Sequence, residues 1–312
     1  MRVGFIGECM AELKKVDGLL QEGFAGDTFN SAVYLKRTFP ALESYFISAI
    51  GSDPLSKEML EFTRGESINT RFLYAHPDKH IGLYKIYTDA CGERSFTYWR
   101  NDSAAKGLMS LLNESDAASL TAMDMVLFSG ISLAVLNRED LNKFWRLLGK
   151  LKDSGTQIVF DMNHRPALWK GRNDAKALYE KAFEVADIAL PALEDFNFLY
   201  GFESVEEIVS FLAPFSFKLL VIKNGSRAVT LVDAEGEVSE VGLTPVKNVV
   251  DTTSAGDAFN VVFLGAYLSG EKPESCVKKA AQCAGFVIQH PGAIVDKASY
   301  SDLVSSFSPS LA

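Results

Sequence analysis

The sequence predicts an α/β protein in which helices cover both faces of a mostly parallel central sheet. Short apolar runs alternate with helix-type segments along most of the 312 residues, and a chain of this length can bury one large core. Hydrophobic residues make up 47% of the chain, and its formal net charge is −9. This acidic balance argues against nucleic acid or an anionic membrane as the main partner.

The predicted elements follow one another in a regular order. The first strand covers 2–7, and the first helix covers 26–39 with Asp27 or Thr28 as its N-cap. A helix over 53–66 has proline at its first position, where the missing N–H costs nothing. Further strands are predicted at 44–51, 124–130, 157–163, 186–191 and 217–225, with a helix between the second and third of these and another over 258–268.

Two stretches interrupt this order and are predicted to be antiparallel hairpins. One covers 80–102 around the turn "DACGER", and the other covers 228–242 and is expected at an edge of the central sheet. The first hairpin carries Tyr84, Tyr98 and Arg100. Two interpretations of it stay open, a small lid that closes over a pocket and a hairpin whose aromatic side chains only pack.

Several kinds of protein and site are disfavoured. No run approaches 18 apolar residues, and "MRVGFIGECM" lacks the long apolar stretch of a secretory signal, so we expect a cytoplasmic protein without a membrane span. We expect residues 305–312 to fray. The four cysteines lie far apart in sequence and have no histidines at the spacing of metal ligands: Cys9, Cys91, Cys276 and Cys283. They are expected to be buried or free thiols, with a zinc site as the alternative.

The stretch "DTTSAGDAF" (251–259) comes directly before the apolar helix over 258–268. Small residues at 254–256 let an anion approach the unpaired N–H groups and the positive end of the helix, so they predict an anion hole. Asp257 follows at once, and a carboxylate there can accept a proton from a hydroxyl that attacks a bound phosphate. The alternative is that Asp257 is an ordinary acid of a helix N-terminus.

Three motifs resemble those of the ribokinase family, also called the PfkB carbohydrate kinases. "DTTSAGDAF" is similar to the signature D-T-x-G-A-G-D, with Ser254 in place of a glycine. "FAGDTFNSAVYLKRTF" resembles the N-terminal Gly-Gly-x-x-x-N signature, and "IKNGSRAV" resembles the K-x-G-x-x-G nucleotide loop, each with one alanine for glycine, Ala25 and Ala228. The P-loop, protein-kinase and dinucleotide motifs are absent.

This resemblance implies a ribokinase-like three-layer α/β/α sandwich with a small β-sheet lid. The chain would form a single domain over 1–312, with the lid made by segments near 8–25 and 78–102. The resemblance also implies phosphoryl transfer from ATP to a small alcohol, usually a sugar. Because an apolar lid hairpin can pair with that of another copy, we expect a homo-oligomer, a dimer or higher.

Two arginines bear on the choice of sugar. Arg165 follows the strand over 157–163, at the strand end where α/β sheets place their ligands, and Arg100 ends the first hairpin. Neutral sugars need hydroxyl partners, whereas a sugar acid needs a clamp for its carboxylate, for which arginine is the best side chain. The alternative for each arginine is a surface salt bridge.

Several segments resemble one subgroup of the family, the 2-keto-3-deoxygluconate kinases: "GECMAEL", "GLYKIYTDACGERSFTYWRNDSAAKGL", "SGISLAVL" and "FDMNHRPALW". The resemblance implies phosphorylation of the 6-hydroxyl by ATP and Mg²⁺, with Asp257 as base, an anion hole at 254–257 and no metal ligands from the protein. It implies sugar contacts at Gly26, Asp27, Thr28, Phe29, Asn30, Tyr84, Tyr98, Arg100 and Arg165. It implies nucleotide contacts at Asn163, Arg165, Lys223, Gly225, Ser226, Ala228, Ser254, Ala255, Gly256 and Gln282.

Two other functions stay open. A kinase for a neutral ketose such as fructose is favoured if Arg100 and Arg165 form salt bridges away from the pocket. A non-catalytic relative that binds a metabolite is the other, although an intact Asp257 argues against it. Asp251 is expected either to orient its loop, to cap a turn, or to help hold a monovalent cation such as K⁺.

Overall fold

The structure is a computed structural model that describes residues 1–16, 18–88 and 94–307. The turn at 89–93, with Cys91, and the terminal segment 308–312 lie outside these residues. The strands are β1 (Arg2–Ile6), β2 (Met10–Val16), β3 (Leu19–Ala25), β4 (Glu43–Ile50), β5 (Leu73–Ala75), β6 (Gly82–Thr88), β7 (Arg94–Trp99), β8 (Met125–Ser129), β9 (Gln157–Asp161), β10 (Ile188–Ala189), β11 (Leu219–Asn224), β12 (Ala228–Asp233) and β13 (Val238–Gly242).

The α-helices alternate with these strands along the described chain. They are α1 (Asp27–Thr38), α2 (Pro54–Gly65), α3 (Leu108–Leu111), α4 (Glu114–Leu120), α5 (Gly130–Val135), α6 (Leu141–Asp153), α7 (Arg172–Val185), α8 (Leu193–Tyr200), α9 (Val205–Leu212), α10 (Ala255–Leu268), α11 (Pro273–Val287) and α12 (Lys297–Ser306). No helix within the described ranges is long and apolar enough to cross a bilayer.

The larger sheet has nine strands in the order β13-β12-β11-β10-β9-β8-β1-β4-β5. Its strands are parallel from β11 to β5, and β12 and β13 are antiparallel, which confirms the predicted hairpin at the sheet edge. Strand β4 lies beside β1 on one side, and β8, which follows later in the chain, lies beside β1 on the other. Such a reversal of strand order leaves a crevice at the carboxyl ends of the strands, where α/β proteins bind their ligands.

Two apolar clusters, one on each face of this sheet, form the core. Met125 and Leu127 of β8 face the cluster that contains α1, α10, α11 and α12, whereas Val126 and Phe128 face the cluster that contains α6, α7, α8 and α9. This alternation is expected of a strand buried on both faces. The predicted three-layer α/β/α class is therefore confirmed.

A second, four-stranded sheet has the order β3-β2-β6-β7. Its last two strands are the predicted first hairpin, with Tyr84 opposite Tyr98 in the antiparallel register. The strands come from the two segments that were expected to form a lid. That the small sheet closes as a lid stays a prediction.

Three details of the predicted elements were wrong. The N-cap of α1 is Gly26, not Asp27 or Thr28, since Asp27 already lies in the helix. The strand expected over 186–191 has only two residues, Ile188–Ala189. The helix α12 continues to Ser306, so the expected fraying does not begin at residue 305.

Candidate active site

The candidate catalytic acid, Asp257, lies in the first turn of α10. This helix is apolar all round, with every residue from Asp257 to Ala266 buried, because it is packed between the sheet and other helices. Helix α1 packs against it and brings Asn30 to the acid, where the Asn30 amide Nδ2 donates to Oδ2 of Asp257 at 2.9 Å. The core therefore fixes both the position and the direction of this carboxyl group.

The backbone before Asp257 has the shape expected of an anion hole. Ser254, the N-cap of α10, adopts a left-handed conformation with φ 59°, and such a φ explains why glycine is usual at this place in the signature. The Ala255 N–H bonds the Thr252 carbonyl at 3.3 Å. The next two N–H groups, of Gly256 and Asp257, have no acceptor within an α-helix. A Cβ built on Gly256 would have no atom within 4 Å, so the space beside this residue is open.

Asp27 gives the site a second carboxylate. Asn163 Nδ2 donates to its Oδ2 at 3.0 Å, and its Oδ1 is buried without a partner among the described residues. Asn163 itself has a positive φ of 30°. Burial and the nearby Asp27 charge raise the pKa of Asp257, against the lowering effects of Asn30 and Arg165.

Asp161 is a further acid of the site, and sequence reasoning missed it. It ends β9, two residues before Asn163, and Lys223 at the end of β11 donates to it at 3.2 Å. Lys223 also donates to Oδ1 of Asn260, one turn after Asp257, at 2.9 Å. Burial raises the pKa of Asp161. Its position at the end of an apolar strand was the signal that could have identified it.

Asp195 is another acid that the sequence reasoning did not select. It lies in the first turn of α8 and accepts the backbone N–H of His164 at 3.2 Å. Burial and the Asp161 charge raise its pKa to about 7, despite the opposing charges of Lys223 and Arg165. An acid in the first turn of a helix is common, so the sequence held no distinctive signal for Asp195.

Arg165 is the cation of this site that faces outward. It is exposed, and its NH1 group donates to the His164 carbonyl at 2.9 Å. Its charge lowers the pKa of Asp257, Asp161 and Asp195. Within the described part of the chain, no acidic side chain lies within ion-pair distance of it, so its charge is available to an anionic ligand.

The arginine of the small sheet has a different environment. Arg100 is paired with Glu8, a buried residue in the loop between β1 and β2, and its guanidinium lies 6.0 Å from the centre of the Tyr98 ring. Glu8 Oε1 is buried without a partner in the described structure. Arg100 is therefore salt-bridged, at the junction of the two sheets, whereas Arg165 has no such pair among the described residues, so the condition set for a neutral sugar, which needs both arginines paired away from the pocket, is not met.

The two tyrosines of the small sheet differ in exposure. Tyr84 is buried and donates to Glu12, while Tyr98 is 48% exposed. Their rings lie 5.8 Å apart. Glu12 is a further buried acid that sequence reasoning did not select.

The predicted sugar-binding run at the start of α1 divides into two groups. Asp27 and Asn30 face the site, and the Thr28 hydroxyl is buried without a partner among the described atoms. Gly26 is needed for close packing, because a Cβ there would lie 2.0 Å from the Glu8 carbonyl oxygen. The Phe29 side chain is fully buried against Phe46 and belongs to the core, so the sugar contact expected of Phe29 stays a prediction.

Four of the predicted nucleotide-binding residues lie in the hairpin of β11 and β12 or on α11. Gly225, with φ 55°, and Ser226 are exposed in the turn between β11 and β12. Ala228 is buried as the first residue of β12, and Gln282 is exposed on α11. Nothing in the structure tests their contact with a nucleotide, which stays a prediction.

Asp251 links two loops beside the anion hole. Its Oδ1 accepts the Thr253 N–H at 3.0 Å, and its Oδ2 accepts the Gly292 N–H at 2.6 Å. This geometry is that of a residue that orients its loop, which was one of the roles expected for it. Among the described residues, no group of three or more His, Cys, Asp or Glu side chains could hold a metal ion.

Comparison with known proteins gives a consistent result. Residues 4–299 match the pfkB family of carbohydrate kinases. The chain is 37% identical over 311 residues to a 2-dehydro-3-deoxygluconokinase of Haemophilus influenzae, covering 98% of this chain and 99% of that protein. It is 37% identical over 300 residues to a protein of the same name from Dickeya dadantii, covering 94% and 96%.

The fold is also that of solved structures. A fructokinase from Vibrio cholerae, crystallised with fructose, ADP and calcium ion, superposes with a TM-score of 0.81 at 24% identity. The match covers 97% of this chain and 98% of that one. Similarity at this level of identity establishes the shared architecture of the two sheets.

Proposed function

The chain belongs to the pfkB family of carbohydrate kinases, and from this premise we propose that it transfers the γ-phosphoryl group of ATP to the 6-hydroxyl of 2-keto-3-deoxygluconate. One observation carries the proposal. A buried carboxyl group, Asp257, is fixed by Asn30 in the first turn of α10, directly beside two N–H groups that have no acceptor within the helix and beside the open space at Gly256. A proton acceptor and an anion site are thereby adjacent.

The transfer step then assigns a role to each group. The 6-hydroxyl oxygen forms a bond to the γ-phosphorus as the bond to ADP breaks, and Asp257 accepts the hydroxyl proton. A carboxylate with a raised pKa is the stronger base once it is ionised. The positive charge of Arg165 favours that ionised form.

The N-terminus of α10 would stabilise the charge of the transferring phosphoryl. The N–H groups of Gly256 and Asp257 point out of the first turn, and the helix of 14 residues adds its dipole. Because Ala255 already bonds the Thr252 carbonyl, we assign most of this stabilisation to the two following N–H groups.

The choice of a sugar acid as the acceptor rests on the charges of the site. Arg165 has no acidic partner among the described residues, and it lies close enough to Asp257 to lower the pKa of that acid. A guanidinium can bind a carboxylate through two parallel hydrogen bonds. Arg100, already neutralised by Glu8, suits the uncharged oxygens of the sugar better than its carboxylate.

Mg²⁺ is expected to enter with ATP, because it is usually bound by substrate phosphates and only one or two protein carboxylates. Asp161 and Asp195 fit this need. Their pKa values are raised by burial, and in Asp195 also by the charge of Asp161, so a cation beside them would relieve that repulsion. When bound, the ion would neutralise charge on the phosphates.

A second candidate acceptor is a neutral ketose such as fructose. The observation in its favour is the Arg100–Glu8 pair, which removes one of the two arginines from a carboxylate clamp. Relatives at 37% identity over nearly the whole chain carry the name of a sugar-acid kinase, which supports the first candidate.

A coupled assay of ADP release tests the proposal with 2-keto-3-deoxygluconate, its galactonate epimer, gluconate, fructose and ribose as acceptors. We expect turnover on the two keto-deoxy acids and at least about tenfold lower kcat/KM on fructose and ribose, a difference of about 1.4 kcal/mol. Turnover mainly on fructose would discard the carboxylate clamp and keep the kinase. Absence of turnover on every acceptor would overturn the proposal.

A further inference from the structure

We propose that Ser254 is a positioning residue that ties the anion hole, through the carbonyl of Ala293, to the base of the small sheet. Sugar bound under that sheet would thereby tighten the binding of ATP. The inference rests on the proposed function, since it takes the N-terminus of α10 as the phosphate site and the small sheet as part of the sugar site.

The first step concerns the side chain of Ser254. A non-glycine residue at φ 59° carries backbone strain, which glycine would avoid. The serine hydroxyl makes a contact that neither glycine nor alanine could make, because it donates to the carbonyl oxygen of Ala293. The residue that departs from the signature therefore attaches the anion hole to a second loop.

The second step concerns the loop that holds this carbonyl, residues 291–295. The Tyr34 hydroxyl also donates to the Ala293 carbonyl, at 2.8 Å, and accepts the Val295 N–H at 3.1 Å. Gly292 donates to Asp251 at 2.6 Å. These bonds lie on both sides of Ala293 and orient its carbonyl toward the Ser254 hydroxyl.

The third step concerns the side chain of Ala293. It is 3% exposed and packs in a separate apolar cluster with residues of the small sheet: Met10, Ala25, Tyr84 and Ile86. Lys14 of the same sheet reaches the loop as well, since its Nζ would lie 2.8 Å from a Cβ built on Gly292. One residue thus contacts the small sheet through its methyl group and the anion hole through its carbonyl.

A displacement of the small sheet would therefore move the acceptor of the Ser254 hydroxyl. Because a closely packed interior transmits such shifts, the N–H groups that follow Ser254 should change position when a sugar fixes the small sheet. ATP binding and sugar binding are then coupled, and by linkage the coupling acts equally in both directions.

The experiment measures the Kd of a non-hydrolysable ATP analogue with Mg²⁺, with and without saturating acceptor. The acceptor is the sugar that wild-type enzyme phosphorylates best in the panel. We expect the acceptor to lower the wild-type Kd by about fivefold or more, and by less than about twofold in Ser254→Ala. Ala293→Gly keeps the carbonyl and removes the methyl group, and it should lose the coupling in the same way.

The controls separate this claim from others. Ser269→Ala removes a serine hydroxyl that donates to a carbonyl at 2.8 Å at the other end of α10. This variant should keep the wild-type ratio of the Kd without acceptor to the Kd with acceptor. The double variant Ser254→Ala, Ala293→Gly should lose no more coupling than either single variant. Wild-type ratios in Ser254→Ala, or additive losses in the double variant, overturn the inference. Absence of wild-type turnover on every acceptor would instead overturn the proposed function.

Discussion

The substitution Asp195→Asn should stabilise the ligand-free protein at alkaline pH. Asn can still accept the His164 N–H that bonds Asp195 at 3.2 Å, so the change removes a charge and little else. The pKa of Asp195 rises from 3.8 to about 7 in the folded protein, chiefly through burial. The folded state therefore keeps a proton that the unfolded chain has released, and stability falls as pH rises through this window.

The size of the effect follows from the pKa. A rise of about three units corresponds to about 4 kcal/mol at pH 8. Because Asp195 keeps part of its surface accessible, we halve this to about 2 kcal/mol. For a chain of this length that is roughly 4 °C in Tm.

Thermal unfolding of wild type and variant at pH 5 and pH 8 measures the effect. We expect Asp195→Asn to raise Tm at pH 8 and to raise it by less than half as much at pH 5, where the folded protein keeps the proton of Asp195 but the unfolded chain has released it. Glu194→Gln is the matched control, because Glu194 is an exposed acid in the same helical turn and should show no such dependence. An equal Tm difference at both pH values would refute the reasoning.

Two further predictions use the cations of the site, with Arg64 of an exposed surface pair as the control. Arg165→Ala should weaken the binding of 2-keto-3-deoxygluconate by about 30-fold or more in Kd and the binding of fructose by less than about threefold, because only the acid loses a charged partner. Calorimetric titration with both sugars measures these Kd values. Equal losses of affinity for the two sugars would contradict the prediction. Lys223→Met should destabilise the protein by about 3 kcal/mol at pH 8 and by less at pH 5.5, since it leaves Asp161 buried and unpaired. Denaturant unfolding measures this free energy, and the control Arg64→Met is expected to cost under about 1 kcal/mol. A loss of stability that does not depend on pH would contradict the prediction.

Much of the fold could be predicted because its signals are local. Apolar runs marked the buried strands, and proline at the first helical position marked the start of α2, where the structure adds a cap, since Asp53 accepts the Ser56 N–H at 3.1 Å. The N-cap of α1 could not be found in this way. It is set by a contact between Gly26 and the Glu8 carbonyl, which are distant in sequence.

The same distinction applies to the candidate site. Asp257, Asn30 and Asn163 were found from motifs, and the structure places them together with Asp27. Asp161 was missed although it ends an apolar strand, and its ion pair with Lys223 could not be predicted because the fold brings that lysine from another strand.

The environments of Arg100 and Phe29 likewise depend on contacts between elements. Glu8 comes from the loop between β1 and β2, and Phe46 comes from β4, so neither partner could be identified from the segment in question. The expected oligomer, the expected monovalent cation and the closing of the small sheet stay predictions.

The most direct test of the central claim is the kcat of Asp257→Asn on 2-keto-3-deoxygluconate, measured together with the Kd of the sugar. The proposed base predicts a fall in kcat by about two to four orders of magnitude, with a sugar Kd within about threefold of wild type. Glu274→Gln, in the first turn of α11, controls for an ordinary helix acid and should leave kcat unchanged. A near-normal kcat in Asp257→Asn would contradict the assignment of the base.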